Sequence, residues 1–378
     1  MVVNESPQFI AERGDLWQNP AMASLTLITR RSLLAALPAA AAEPVRLPAR
    51  IRVAILGLDG HTGEMVRPLP QLPDVEIAAI SDPTPGAAEK FGRGNARLAG
   101  AARYTDYRKM LDAHKLDVVA VCNNNGERAK AILDCMERKL HVIAEKPLAL
   151  TRADLARIKR TMEEKKVKLG MLLPMRYAAE YKALKQIVDS GEIGEVAQIS
   201  AQKSYKAGKR PDWMRNRATY GGTIPWIGIH MVDLMRFASG RDFTHAASFA
   251  SRVGQPEIGD MENTTGTVFR MDNGGVATLH MDYYRPETAP THGDDRLRLA
   301  GEKGVAEYMA ATGVTLISKS TKPKVLTQLP PPGSVFVDFL NHVYNGRPET
   351  LPLADIFRNC EIILGAQEAA QKRQIVAL

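Results

Sequence analysis

Short apolar runs alternate with helix-like stretches from residue 51 to about residue 173. Five of these runs are rich in Val, Ile, Leu and Ala: Ile51–Leu56, Val75–Ser81, Asp117–Cys122, Leu140–Lys146 and Val167–Leu173. Continuous apolar runs of this length are typical of strands buried on both faces. Because helical patterns separate them, they predict a doubly wound parallel sheet of the α/β class.

The pattern changes after residue 174. Apolar and polar positions alternate in residues 196–205, 243–253, 264–284, 296–310 and 313–320. A period of two predicts an open, mostly antiparallel sheet with one exposed face. The dipeptide Asn273-Gly274 is a strong hairpin signal within it. Helical patterns before and after these segments complete a second α/β domain.

Residues 25–44 are typical of an export signal, and Met22 just upstream would make a more typical start. Arg30 and Arg31 precede a short, weakly apolar stretch, and the small residues Ala39–Ala42 follow it. A charged start, an apolar core and a small-residue end predict a signal peptide, and the paired arginines resemble the twin-arginine type. We therefore expect a periplasmic or secreted protein. The alternative is an alanine-rich leader with chance arginines on a cytoplasmic protein.

Composition narrows the class of partner. A length of 378 residues suits two domains, and the net charge is +8. The basic residues form no run with interleaved aromatics, so we expect no nucleic-acid partner. No apolar run is long enough to cross a membrane. The three cysteines and the histidines show no metal-ligand spacing, and Cys122 and Cys135 are most simply buried thiols.

The first strand leads into a glycine-rich turn, GLDGHTGE, at residues 57–64. A dinucleotide loop usually reads G-x-G-x-x-G, and here Asp59 stands at the second glycine position. The candidate loop contacts to a nucleotide are Gly57, Asp59, Gly60, His61, Thr62 and Gly63. Asp82 ends the second strand, where an acid accepts hydrogen bonds from ribose hydroxyls. An ordinary strand-to-helix turn is the alternative.

Two further stretches resemble a known family. Glu145-Lys146-Pro147 directly follows a strand, and the segment from Tyr220 to Gly240 places His230 and Asp233 on a helix introduced by glycines. Together with the closing residues 338–370, these resemble the glucose–fructose oxidoreductase, inositol dehydrogenase and MocA (Gfo/Idh/MocA) family. The resemblance runs from about residue 51 to residue 378.

We expect three parts of the chain. The signal pattern predicts a leader at residues 1–48, and the resemblance implies an NAD- or NADP-binding Rossmann domain at 49–173 and a substrate-binding and oligomerisation domain at 174–378. Substrates in this family are typically sugars, sugar acids or cyclitols. Oligomers, dimers or tetramers, form through the open sheet.

The resemblance also implies two catalytic residues. Lys146 matches the family's lysine, whose ammonium stabilises a developing oxyanion, and His230 matches a histidine that accepts the hydroxyl proton. Alternatively, Lys146 is an exposed lysine and His230 a core histidine. Trp226 lies one helical turn before His230, where many relatives carry an aspartate, and it would offer a flat face to a sugar ring or fill the core. Asp233 would orient the histidine or be structural.

The remaining candidates surround a cofactor and a sugar. Asn123, Asn124 and Asn125 are expected to contact the cofactor's ribose or nicotinamide, or simply to form a turn, and Glu145 joins them. Pro83 after Asp82 leaves no base for a 2′-phosphate, which favours NAD over NADP. Substrate contacts are expected from Arg176, Tyr205, Trp213, Trp226 and Asp233, with Lys203 and Arg210 nearby. A basic surface loop is the alternative for residues 203–217.

The sequence thus predicts an NAD-dependent oxidoreductase that moves hydride between a sugar, sugar acid or cyclitol hydroxyl and nicotinamide. One alternative is a hydrolase or lyase of the same fold that oxidises a glycoside transiently. Another is a non-catalytic carbohydrate-binding protein, for which Asp59 and Trp226 would be the marks of lost function.

Overall fold

The structure, a computed structural model, describes residues 43–378. Most of the predicted leader, including Arg30 and Arg31, lies outside these residues. The twin-arginine route, the cleavage site and the periplasmic location therefore stay predictions. No helix within residues 43–378 has the length and apolar character needed to span a bilayer.

The first half forms a six-stranded parallel sheet in the order β3-β2-β1-β4-β5-β6. Its strands are β1 (Ile51–Leu56), β2 (Val75–Ser81), β3 (Ala102–Tyr104), β4 (Val118–Val121), β5 (His141–Ala144) and β6 (Leu169–Met171). Its helices are α1 (Gly63–Val66), α2 (Ala87–Gly92), α3 (Tyr107–Ala113), α4 (Asn125–Glu137) and α5 (Arg152–Lys165). The order reverses between β1 and β4, and ligands of such sheets bind at the carboxyl ends of the strands there.

The predicted doubly wound sheet is confirmed, with differences at its edge. Strands β1 and β2 begin and end where their predicted apolar runs do, whereas β4, β5 and β6 are shorter than their runs. Strand β3 was missed because it has three residues that are only half-buried, so no apolar run marks it. Helix α1 is a single turn, since Pro68 and Pro70 follow it and cannot donate to a helical ladder.

The second half forms a nine-stranded sheet in the order β14-β13-β12-β11-β7-β10-β9-β8-β15. Its strands are β7 (Val196–Lys206), β8 (Phe243–Ser251), β9 (Thr264–Met271), β10 (Val276–Arg285), β11 (Gly293–Gly301), β12 (Gly304–Met309), β13 (Gly313–Ser318), β14 (Lys324–Val325) and β15 (Val376–Ala377). Only β7 and β10 pair in parallel, so the sheet is mostly antiparallel as predicted. Asn273-Gly274 makes the predicted hairpin between β9 and β10, with Gly274 at φ 86°.

The second half has five helices: α6 (Ala179–Asp189), α7 (Arg217–Tyr220), α8 (Ile229–Ser239), α9 (Val335–Asn345) and α10 (Leu353–Lys372). Of these, α6, α8 and α10 pack against the sheet, whereas α7 contacts α4 and α9 contacts α1. A π-helical turn, Ile224–Gly228, precedes α8 and is fully buried. This turn brings Trp226 and the start of α8 to the carboxyl end of β5, where Lys146 lies. All three cysteines are buried and free.

Candidate functional site

A cavity of about 220 Å³ opens at the reversal point of the first sheet. Leu56, Gly57, Asp59, Ser81, Asp82, Pro83, Thr105, Asp106, Tyr107, Arg108, Asn123, Asn124 and Glu127 line it. Its walls are the ends of β1, β2 and β4 and the loop that leads into α3. Of the predicted cofactor contacts, the structure places Gly57, Asp59, Asp82, Asn123 and Asn124 here.

Two glycines of the turn after β1 are required by the backbone. Gly57 has φ 77°, and a Cβ there would lie 2.6 Å from the carbonyl oxygen of Cys122 and 2.7 Å from the amide nitrogen of Asn123. Gly60 has φ 70°, and its Cβ would collide with the Glu145 carboxylate. The turn therefore lies tightly against the ends of β4 and β5, as a phosphate-binding turn must.

The hydrogen bonds of this turn leave donors for a ligand. Asp82 accepts from the amide of Leu58 at 3.1 Å, which fixes the acid at the rim of the cavity. The amides of Gly60 and Thr62 donate to no acceptor within residues 43–378. Asn123 also holds a buried side-chain oxygen without a partner in that range. Free amides, an acid at the end of β2 and an unpaired amide oxygen are the groups that a dinucleotide site requires.

Asp59 is tied to the second half of the chain. Its carboxylate accepts a 3.0 Å hydrogen bond from the indole nitrogen of Trp213. Burial raises the pKa of Asp59, the Trp213 bond opposes this, and the charge of Asp82 adds to it. Trp213 in turn packs edge-on against Trp226, with ring centroids 5.5 Å apart. Asp59, which stands at the second glycine position of the loop pattern, thus connects the turn to the aromatic side chains of the second half of the chain.

Glu145 is completely buried beneath the turn. Its carboxylate accepts from the backbone amide of His61 and, at 2.6 Å, from the ring nitrogen Nδ1 of His61. Burial alone would raise the pKa of Glu145, but the charges of His61, Lys146 and Arg128 outweigh it and lower the pKa to about 2. The carboxylate is therefore ionised, and the His61 amide that donates to it is not free to bind a ligand.

Lys146 points into the protein rather than into bulk water. Its side chain is buried, and Nζ donates a 2.8 Å hydrogen bond to the carbonyl of Trp226. Nζ also lies 3.2 Å from the centroid of the Trp226 ring. Burial lowers the pKa of Lys146, Glu145 opposes this, and Arg128 and Lys203 add to the lowering, which brings it to about 7. An amine that titrates near neutrality is suited to acid–base chemistry.

Trp226 therefore contacts Lys146 in two ways: its backbone carbonyl accepts a hydrogen bond from Nζ, and its ring face lies against the same nitrogen. A cation over an indole ring is an attractive contact.

His230 lies beside Lys146 in the start of α8 and is almost fully buried. Burial, with the charges of Lys146 and Lys203, lowers its pKa well below the usual 6.5, so the ring is neutral at pH 7. Its Nδ1 is buried and has no hydrogen-bond partner within the described chain. A neutral imidazole is able to accept a proton.

The expected links from Asp233 and Arg176 to the site need correction. Asp233 accepts from Arg176 Nε at 3.1 Å and from Asn359 at 2.7 Å, and it makes no hydrogen bond to His230. Arg176 also pairs with Asp355 at 2.9 Å. Both members of the Arg176–Asp233 pair are buried. This internal ion pair joins the segment before α6 to α8 and α10. Asp233 therefore does not orient His230, and the Arg176 guanidinium is not free to contact a sugar.

Arg128 is a buried residue whose role the sequence did not reveal. Its guanidinium donates to the carbonyls of Lys146 at 2.9 Å and Pro147 at 3.0 Å, and to the side chain of Asn125 at 2.8 Å. It also bonds the carbonyl of Asn123. Asn125 donates to the carbonyl of Tyr220, so it holds the two halves together instead of facing the cavity. Arg128 thus fixes the loops that follow β4 and β5.

The second half adds an aromatic and cationic group of side chains. Tyr205 stacks on His292 with centroids 4.8 Å apart, and buried Lys203 pairs with Asp295 at 2.9 Å. Arg210 lies over the Tyr283 ring at 4.8 Å and forms no ion pair with an acid of the described chain. Because the charges of Lys203 and Arg210 both act on Lys146, this group borders the same site.

Several lining residues were not predicted. Thr105 to Arg108 follow β3, the strand that sequence patterns missed. The one available signal was positional, since loops after adjacent parallel strands meet at one edge of a sheet.

Comparisons with known proteins agree with this geometry. Residues 51–172 match the family described as "Oxidoreductase family, NAD-binding Rossmann fold", and residues 181–307 match "GFO/IDH/MocA C-terminal domain". Myo-inositol 2-dehydrogenase of Thermotoga maritima is 25% identical over 271 residues, which cover 70% of this chain and 78% of that protein.

Solved structures share the whole fold. One from Thermotoga maritima is 30% identical with a TM-score of 0.81, over 87% of this chain and 100% of that chain. A levoglucosan dehydrogenase in complex with NADH is 18% identical with a TM-score of 0.73, over 86% of this chain and 98% of that chain. The likeness to the second shows the fold alone.

The chain belongs to the Gfo/Idh/MocA family. It is an oxidoreductase with an NAD-binding Rossmann domain, and its relatives include sugar and cyclitol dehydrogenases.

Proposed function

We propose that this enzyme oxidises a secondary hydroxyl of a sugar, sugar acid or cyclitol with NAD, or runs the reverse reduction. The observation that supports the proposal is that Lys146 and His230 are both buried and that the charge of Lys146 lowers the pKa of His230, where the loop after β5 meets the start of α8. Lys146 would supply a hydrogen-bond donor to the substrate oxygen, and His230 would supply a proton acceptor.

In this reaction His230 takes the proton of the substrate hydroxyl, since its ring is neutral at pH 7. Lys146, as an ammonium, donates to the same oxygen while negative charge develops on it. Its second hydrogen bond, to the carbonyl of Trp226, fixes the direction of the amine. Arg128 holds the Lys146-Pro147 loop from beneath.

NAD would be held by the turn after β1, by Asp82 at the ribose, and by Asn123 and Asn124. Bound there, its nicotinamide supplies the hydride acceptor.

Two features support a polyhydroxylated substrate. The half-buried rings of Tyr205 and Trp213 are suited to the apolar face of a sugar ring, whereas the buried ring of Trp226 packs on Lys146. Arg210, without a carboxylate partner in the described chain, is a candidate donor to hydroxyls or to a substrate carboxylate. The relatives named as inositol and glucoside dehydrogenases act on this kind of compound.

A panel assay tests the proposal. The purified protein is first titrated with NAD and NADP by calorimetry and then offered free NAD with neutral sugars, sugar acids and cyclitols. We expect NAD binding and net formation of NADH with at least one hydroxylated compound. Lys146→Met and His230→Ala should lose at least about 100-fold in kcat while still binding NAD.

The other outcomes identify the alternatives. Glycoside cleavage with tightly bound NAD and no net NADH would favour the hydrolase or lyase. Sugar binding without any nucleotide binding would favour a carbohydrate-binding protein and sink the proposal.

A further inference from the structure

A carboxylate, an imidazole and a second imidazole form a chain that leads out of the site. Glu145 is buried, His61 is 30% exposed at its side chain, and His230 is almost fully buried. The His61 and His230 rings meet edge to face, with centroids 5.2 Å apart and planes at 75°. His61 therefore touches both the buried acid and the buried proton acceptor.

The hydrogen bond fixes which nitrogen of His61 carries the proton. An ionised carboxylate only accepts, so the 2.6 Å contact to Glu145 requires a proton on Nδ1 of His61. Its Nε2 then has a free lone pair. If Nε2 also takes a proton, the imidazolium that results stands directly against the Glu145 charge.

A protonated His230 requires a neighbouring group that takes up its proton or balances its charge. Its Nδ1 has no partner within the described chain, and Asp233 is occupied by Arg176 and Asn359. The charged groups that act on His230 are Lys146, Lys203 and His61, and each of them lowers its pKa. A proton accepted by His230 is thus repelled by its surroundings and has no acidic side chain to steady it.

We propose that His61, held by Glu145, is the positioning residue for His230 and relays its proton to solvent. This inference rests on the proposed function. The proton leaves the substrate hydroxyl for His230 and passes through solvent water to Nε2 of His61, since the two rings meet edge to face and share no hydrogen bond within the described chain. Glu145 balances the charge of the resulting imidazolium, and the same nitrogen releases the proton to water. The two electrons leave the substrate with hydride for NAD, so the step balances.

The first test needs no cofactor. In the ¹⁵N-histidine-labelled full-length protein, ring NMR at pH 7.5 is expected to show the His61 proton on Nδ1. The His230 ring signals are expected to shift in His61→Gln, because the edge contact is lost. A proton on Nε2 of His61 would overturn the proposal whatever the enzyme's substrate is.

The second test uses NAD and the best compound of the panel. His61→Gln keeps an N–H donor for Glu145 but carries no proton, so we expect kcat to fall about 10- to 100-fold with KM within about twofold. Added imidazole should restore activity to His61→Ala and leave His61→Gln unchanged. The control is His280→Gln, which replaces an exposed histidine of β10 that bonds Gln202 at 2.9 Å.

Thermal melting of each variant shows whether it folds. A His61→Gln protein that melts like the wild type and keeps its kcat and pH profile would overturn the relay. If the wild type turns over no compound, the proposed function fails, and the NMR experiment alone decides the role of His61.

Discussion

At the scale of single residues, the site depends on one amine whose environment shifts its titration into the working range. Lys146 has a pKa of about 7 because burial disfavours its charge more than Glu145 restores it. Its neighbour His230 is neutral across the same range. Near neutrality the pH dependence of the reaction should therefore report the titration of Lys146 rather than that of His230.

We expect kcat/KM for alcohol oxidation to fall as the pH rises through about 7, since the ammonium form of Lys146 is lost there. His230 loses its acceptor role only well below pH 6.5. Lys146→Arg stays charged, so its activity should be about 100-fold lower but without the fall near pH 7. Profiles from pH 5.5 to 9 measure this. If kcat/KM of the wild type instead rises as the pH passes through 7, and this rise is absent in Lys146→Arg, then Lys146 rather than His230 is the general base.

The Arg176–Asp233 pair makes a second prediction at this scale. Asp233→Asn leaves a buried guanidinium with only Asp355 and should lower the free energy of unfolding by about 3 kcal/mol. Asp189→Asn, which breaks the exposed pair with Lys185, should cost under about 1 kcal/mol. Urea denaturation compares them. An NAD affinity that falls with Asp233→Asn in a fully folded protein would return this residue to the site.

At the scale of elements, the turn between β1 and α1 brings three strands together. It is stabilised by contacts with β4 and β5 rather than by a long helix, since α1 is one turn. The usual helix dipole contributes little here, and individual amides must hold a phosphate. We therefore expect nucleotide affinity to depend more on the backbone geometry at Gly57 and Gly60 than on helix orientation.

Substitutions at two glycines with the same φ angle distinguish the cost of backbone strain from the cost of a steric clash. Gly57 and Gly86 both have φ 77°, but a Cβ at Gly86 would meet no atom within 4 Å. Gly86→Ala should cost about 1 kcal/mol of stability and leave NAD affinity unchanged. Gly57→Ala should weaken NAD binding at least about tenfold, because the Cβ displaces the end of β4. Equal NAD affinities in calorimetry would show that the turn does not hold the cofactor.

At the scale of the whole molecule, the outer face of the second sheet remains open. Phe249 of β8 is 75% exposed and Val268 of β9 is 49% exposed. The outer-face residues of these strands lie side by side, since Phe249 pairs with Gly266 and Val268 pairs with Ala247. An exposed apolar patch of this kind marks an interaction surface. The family resemblance leads us to expect a dimer or tetramer through it.

Light scattering after size exclusion tests this expectation. Phe249→Glu combined with Val268→Glu should reduce the mass to that of one chain, 41.4 kDa before any removal of the leader. Val325→Glu, at the opposite edge of the sheet on β14 and 54% exposed, should leave the mass unchanged. A wild type that already runs as a monomer would remove this role from the patch.

Much of the fold could be predicted from the sequence, because apolar runs and turn residues act through neighbours a few positions away. Runs of apolar residues follow from burial on both faces, so β1 and β2 could be bounded to the residue. Asn273-Gly274 determined its hairpin through its own backbone preferences. Strand β3 lacked that information, since three half-buried residues give no pattern.

The sequence by itself determined the alternating elements, the nucleotide turn and the lysine after β5, because each depends on neighbours a few residues away. Only the tertiary structure decided which charged and polar side chains pair with each other. Glu145 forms a hydrogen bond with His61, 84 positions away in the sequence, and Arg176 forms one with Asp233, 57 positions away. Such partners are chosen by how the sheet edges and the π-helical turn meet in space, and burial then fixes the pKa values on which the chemistry depends.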